Sequence, residues 1–302
     1  MIGVHDMVAL RHGAMECLLA PGCGGSIAAW RRSGPDGTID LFRPASEAAM
    51  AGDFAPDMAC FPLIPFSNRV AGGRFTFQGR RVEMPTDPGS PHRIHGHGWA
   101  VPWRVEGQVE ERTASAARLA FRHRADSWPW SYSAAQTVAL DDDGLTVTLE
   151  LVNESDSVMP AGFGLHPYFP KPPGTRVTAR LNGMWESDET ILPRNRRPLP
   201  PAWNFPKGVA MDGLVLDHGF TGWDGRAVLE WPGRGLSLTI VADGPFGHLI
   251  VYAPAGEDYL CLEPVSHMTD ALNRPQEPDA GVIALPPGER LTGTVRFRVA
   301  AL

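Results

Sequence analysis

The sequence predicts an all-β protein: a large, mainly antiparallel β-sandwich with few and short helices. Three observations carry that reading. Glycine and proline, 33 and 29 of 302 residues, are spread along the whole chain, a composition that suits many short strands and breaks long helices. Apolar and polar residues alternate repeatedly with period two, the mark of strands buried on one face. Turn-forming clusters fall between the alternating stretches.

Taken in chain order, the one helix expected is short, around "ASEAAMAGD" (45–53). "RFTFQGRRVEM" (74–84), "RLAFRHR" (118–124) and "LSLTIVAD" (236–243) alternate weakly and read as strands. "TVTLELV" (146–152) alternates strictly, with Val147, Leu149 and Leu151 on one face. "TVRFRVA" (294–300) does the same with Val295, Phe297 and Val299. "DDDG" (141–144) and "PPGE" (286–289) sit between strand candidates and read as hairpin turns. No internal repeat, low-complexity run or linker cuts the chain, so residues 1–302 are expected to form one domain.

A net charge of −7 without any basic run argues against nucleic acid as a partner. The most apolar windows, "FPLIPF" (61–66) and "HLIVYAPA" (248–255), are too short to span a bilayer. The N-terminus lacks the charged and apolar regions of a secretory signal. Cys17, Cys23, Cys60 and Cys261 are irregularly spaced without a CxxC pair, and read as thiols kept in a reducing cytoplasm rather than a disulfide framework. The expected setting is cytoplasmic; the oligomeric state, monomer or homodimer, stays open.

Five stretches could carry chemistry. In "FPLIPFSNRVAGGRF" (61–75), Asn68 and Arg69 follow an apolar run; an arginine fork there could bind sugar hydroxyls, or could serve in a surface ion pair. "PHRIHGHGWAVPW" (91–103) places His95 and His97 on one face if the backbone is extended. A metal would then be conceivable, yet the first carboxylate beyond them is Glu106, too far along for a cupin-type ligand set. The stretch is instead a ligand-binding loop or a structural turn, and Trp99 and Trp103 could stack on sugar or pack in the core. His166, in "PAGFGLHPYFP" (160–170), is biased toward extended backbone by the proline after it. Asp217, in "GLVLDHGFTGWDG" (213–225), ends an apolar run and could simply bond local backbone. Glu263, in "EDYLCLEPVSHMTDALN" (257–273), interrupts an apolar strand. A carboxylate there is costly to bury without a partner or a task, and burial would raise its pKa toward the range of a general base.

Together and in order, these stretches resemble the aldose 1-epimerase (galactose mutarotase) family, from about residue 20 to the C-terminus. "NRV" is similar to the family's Asn-Arg-Ile/Val element, "IHGHGW" to its His-Gly element and "GLHPYF" to its His-Pro-Tyr-Phe element. "LDHGF" and "LCLEPVSHMTDALN" are similar to its Asp-bearing and Leu-Glu-Pro elements, the latter with a downstream Asn. The resemblance implies a β-supersandwich with an open cleft, a free aldose as substrate, no cofactor and no metal. Carried over by residue, Glu263 would be the base and His166 the acid, facing each other across a gap one sugar wide. Arg69, His95 and Asp217 match sugar-binding positions, with Asn68 beside them. Two departures stand out. His97 replaces a glycine common in the family and adds a donor near the pocket. Ile250 stands where a sugar-contacting glutamine is frequent, and His248, on the same strand face, is expected to substitute.

The resemblance explains the residue types. Mutarotation removes a proton from the C1 hydroxyl while another reaches the ring oxygen, so one base and one acid suffice. Three other readings remain, one of them a metal-dependent β-barrel enzyme. A mutarotase for hexose 6-phosphates would need added cations, for which Arg74, Arg93 and Arg104 are candidates. A non-catalytic carbohydrate-binding protein of the same fold would need no acid/base pair. His92 has no role in any of these readings, and Arg93 has none beyond that candidacy.

Overall fold

The computed structural model describes residues 7–35, 37–52 and 55–302. Residues 1–6, where the N-terminal reading begins, and Asp53, at the end of the expected helix, lie outside that range. Among the described residues two large antiparallel sheets, of eleven and nine strands, stack as a sandwich. The helix expected at 45–53 is observed as the single α-helical turn pair Glu47–Gly52. No helix of the described residues is long and apolar enough to cross a membrane.

The nine-stranded sheet is built from the alternating stretches. In Gly144–Asn153 the odd-numbered residues 145–153 are buried and the even ones from 146 to 152 lie partly in solvent. That strand pairs with Tyr132–Asp141 through the turn read at 141–144, and with Arg290–Ala301 on its other side. Leu145, Val147, Leu149, Leu151, Val295 and Phe297 are fully buried against the other sheet. Arg74–Phe77 and Arg80–Glu83 form a separate small hairpin. "PPGE" is a turn but not a hairpin. It links Ile283–Leu285, which pairs with Met159–Ala161, to Arg290–Ala301 in the nine-stranded sheet. Two strands can be neighbours in sequence and belong to different sheets, which a turn signal does not encode.

The middle of the eleven-stranded sheet runs in the order Cys60–Leu63, Gly164–Pro170, Tyr259–Val265, His248–Ala253, Leu216–Thr221. The first four are buried almost end to end. One face packs into the sandwich core through Leu165, Phe169, Leu249, Val251, Leu260 and Leu262. The other face carries a second apolar cluster with Phe61, Leu63, Tyr168, Ile250, Cys261 and Val265. Coverage on both faces explains why these strands read as continuous apolar runs instead of alternating ones.

Candidate active site

Strand register sets the site. His166 pairs with Phe61, Ile250 with Glu263, and Gly219 with Ile250. Gly164 pairs with Val265 and Tyr168 with Cys261, which sets His166 opposite Glu263. One row across five strands therefore reads Phe61, His166, Glu263, Ile250, Gly219, all facing away from the sandwich core. The next row on that face holds Tyr168, Cys261, Tyr252 and Asp217.

A cavity of about 350 Å³ opens over these rows. Asn68, Arg69, His95, His166, Asp217 and Glu263, six of the residues singled out in the sequence, line it together. They come from five separate parts of the chain. Trp99, Phe61, Ile94 and Ile250 supply apolar wall, and Tyr168, Tyr252 and Asp87 also reach it.

Glu263 is 3% exposed, and its Oε1 lies 3.5 Å from His166 Nε2. The two groups are therefore neighbours on the cavity floor, not opposed across a sugar-wide gap. The His166 ring packs against both Phe61 (centroids 4.7 Å) and Tyr168 (4.8 Å), which restricts its plane. Burial pushes the Glu263 carboxyl well above the usual carboxylate range, and the nearby Asp217 carboxylate adds to that; Arg69 works in the opposite sense. Burial lowers His166 to about 3. Glu263 Oε2 and His166 Nδ1 are buried without a hydrogen-bond partner among the described residues. Buried polar atoms left that way point to a ligand or a task. Burial likewise raises Asp217, with Arg69 opposing.

The wall opposite is held by short-range bonds. The Asn68 N–H donates to His95 Nδ1 at 2.9 Å, and the His95 N–H donates to the Asn68 carbonyl at 2.9 Å. The first bond places the proton of a neutral His95 on Nε2. Burial lowers the His95 pKa well below its ordinary value, with His166 and Arg69 adding to the effect, so the ring stays neutral. The Asn68 carboxamide oxygen accepts from the Arg69 N–H and, at 3.2 Å, from its guanidinium. The chain after Glu263 wraps this turn. Asp270 donates its N–H to the Arg69 carbonyl and accepts the Ala71 N–H on its carboxylate. Asn273, the downstream Asn of the motif, donates to Asp270 and to the Arg74 carbonyl. His267 Nε2 accepts the Ser67 N–H. Sequence reading missed Asp270 and His267, and nothing local distinguishes them from surface residues.

Two expected sugar contacts lie elsewhere. His95 and Gly96 both adopt left-handed backbone, at φ 61° and 66°, so the two histidines do not share a face. Gly96 is required there, because a Cβ would meet the Ile64 carbonyl oxygen at 2.3 Å. His97 points away from the sugar-sized cavity. It bonds the Tyr132 hydroxyl at 2.7 Å, packs against the His123 ring at a tilt, and lines a separate depression of about 630 Å³. His248 does share the strand face of Ile250, but it sits one row further on, in register with Val265 and buried. A Cβ on Gly281 would meet its ring at 3.1 Å, so it packs beneath the chain that follows Glu263 and is absent from the cavity lining. Of the two tryptophans, Trp99 lines the cavity while Trp103 is core, its indole N–H donating to the Gly98 carbonyl. His92 accepts the Gly72 N–H, a structural role.

The chain is similar to known proteins over nearly its whole length. The family model described as aldose 1-epimerase matches residues 6–298. YphB, an uncharacterized protein of Escherichia coli strain K12, is 33% identical over 299 residues, covering 96% of this chain and 97% of YphB. A crystal structure of an E. coli K12 protein provisionally described as an aldose 1-epimerase superimposes with a TM-score of 0.87 at 31% identity, over 98% of this chain and 99% of that one. A galactose mutarotase-like protein of Clostridium acetobutylicum reaches a TM-score of 0.90 at 18% identity, over 100% and 98% of the two chains. That last likeness speaks to the fold, which is galactose mutarotase-like.

Proposed function

Because the chain belongs to the aldose 1-epimerase family, which implies sugar binding, we propose that it interconverts the α and β anomers of a free, unphosphorylated aldose. The observation that carries this is the buried Glu263–His166 pair, 3.5 Å apart on the floor of a cavity of about 350 Å³. The two oxygens that exchange protons in ring opening, the C1 hydroxyl and the ring oxygen, are bonded to one carbon. Side-by-side groups beneath C1 can therefore each serve one oxygen, which a widely opposed pair would do less directly.

One group takes the hydroxyl proton while the other delivers a proton to the ring oxygen. After rotation about C1–C2 the roles exchange for closure on the other carbonyl face. Burial favours a carboxylic acid beside an uncharged imidazole, so the pair holds one proton between them. Moving that proton to the imidazole gives carboxylate base and imidazolium acid without changing the net charge of the site. Only protons move, so the chemistry itself calls for no cofactor. Arg69, His95, Asp217 and Asn68 would hold the hydroxyls and ring oxygen, with Trp99 and Phe61 against C–H surface.

A phosphorylated substrate is less well supported. Arg69 is the only lysine or arginine among the described residues lining the cavity. Arg93 is paired with Asp87 at 3.0 Å and also bonds the Gly96 carbonyl. Arg104 pairs with Glu106 beside the other depression, and Arg74 reaches toward Glu83. The test is polarimetry of freshly dissolved α-glucose, α-galactose and a panel of further aldoses, with glucose 6-phosphate alongside. The expected outcome is faster approach to anomeric equilibrium, in proportion to enzyme, for free sugars above the phosphate ester. Sugar binding by calorimetry with no acceleration for any aldose would make the protein a binding module instead.

A further inference from the structure

The mechanism above uses two of three chemically distinct groups that lie together at the base of the cavity, two of them lining it and the third buried just behind. The third is Cys261, two residues before Glu263 on the same strand face and in register with Tyr168. One ligand atom each from His166, Cys261 and Glu263 lies within 4.8 Å of the others, and all three residues are buried. Their side chains stand on two paired strands, so the sheet fixes their spacing. A row of acids could collect weakly bound hard cations, whereas imidazole, thiolate and carboxylate together select a borderline-soft ion such as Zn²⁺.

We propose that His166, Cys261 and Glu263 form a three-ligand site for Zn²⁺, and that the bound ion blocks the proton-transfer pair. Three protein ligands with the fourth position open toward a cavity is the arrangement of accessible zinc centres. Thiolate and carboxylate cancel the two charges of the ion, and a neutral imidazole completes the set, so the buried site carries no net charge. The thiol and carboxylic protons leave to solvent. Bond lengths of about 2.0–2.3 Å bring tetrahedral ligands to roughly 3.5 Å of each other, so the triad must close by about an ångström. His166 and Glu263 already stand at 3.5 Å. The ion would occupy both proton-transfer groups at once. It therefore acts as an inhibitor of ring opening, a consequence that rests on the mutarotase reading, whereas metal binding itself does not.

Cobalt(II) added to the purified metal-free protein tests the site without reference to activity. The expected result is one tightly bound ion per chain, with a thiolate-to-cobalt charge-transfer band that Zn²⁺ displaces. Cys261→Ala should abolish the band and weaken Zn²⁺ binding at least tenfold, since even the loss of a group that only supports a ligand costs about 10–100-fold, while mutarotation without metal persists. Glu263→Gln provides a second folded variant in which the affinity should also fall. Absence of the band in the wild-type protein, or its survival in Cys261→Ala, overturns the site. Mutarotation that proceeds unchanged in saturating Zn²⁺ overturns the inhibition. A protein that shows the cobalt band yet accelerates no sugar refutes the mutarotase reading and the inhibition drawn from it, and leaves the metal site standing.

Discussion

The nine-stranded sheet keeps one face toward solvent, whereas the middle strands of the eleven-stranded sheet are covered on both. From Leu145 onward, Gly144–Asn153 alternates buried and half-exposed residues. In Tyr259–Val265 every residue after the first is buried. In the first sheet a side chain is either core or surface. The second has a third environment, a floor that is dry yet opens into a cavity, and there Glu263, His166 and Asp217 have carboxyl and imidazole pKa values displaced toward their neutral forms. Reactive groups gain little on a wet face, and in a packed core they have nothing to react with.

Substitutions on the two sheets should therefore fail differently. The largest effect is expected at the floor. Glu263→Gln and His166→Asn should each lower kcat/KM by at least about a hundredfold, the order for removing a positioned acid or base. Polarimetry on the folded variants checks this, and near-wild-type rates would mean that the pair does not do the chemistry. Leu149→Ala, in the core beneath the other sheet, should cost about 2–5 kcal/mol of stability. Denaturant titration reads that loss, and kcat/KM of the folded fraction should not move; a change there would blur the division between the sheets. Arg69→Ala should raise KM roughly tenfold or more, as for a lost charge-assisted hydrogen bond, with kcat less affected. The smallest effect belongs to His97. Its replacement by Asn should cost about 1 kcal/mol through the bond to Tyr132 and leave KM for sugar unchanged. A raised KM would return His97 to the pocket from which its backbone turns it.

The same contrast explains what the sequence disclosed. The alternating strands could be found from their period, since a half-wet sheet writes its environment into every second residue. The site strands gave only apolar runs, but that made Glu263 conspicuous, because a carboxylate in such company needs a reason. Arg69, His95, His166 and Asp217 were individually ambiguous, and became a set only through their order along the chain. Three matters of geometry stayed hidden. His95 itself and Gly96, the one residue between it and His97, are left-handed, and a local φ forced by the close approach of Gly96 to Ile64 leaves no periodic trace. His248 was placed on the correct face but in the wrong row, because face follows from parity while row follows from pairing across strands. The adjacency of Glu263 and His166, 97 positions apart in sequence, likewise follows from register alone.

That dependence on register limits how such a molecule can be changed. Lengthening Gly164–Pro170 or Tyr259–Val265 by a single residue ahead of His166 or Glu263 would swap inside for outside along the rest of that strand, driving an imidazole or an acid into the hydrocarbon interior. The connecting segments carry no such parity. Diversification of sugar preference, in nature or by design, is thus expected to proceed by exchanging side chains and remodelling loops, while the number of residues in these few strands stays fixed.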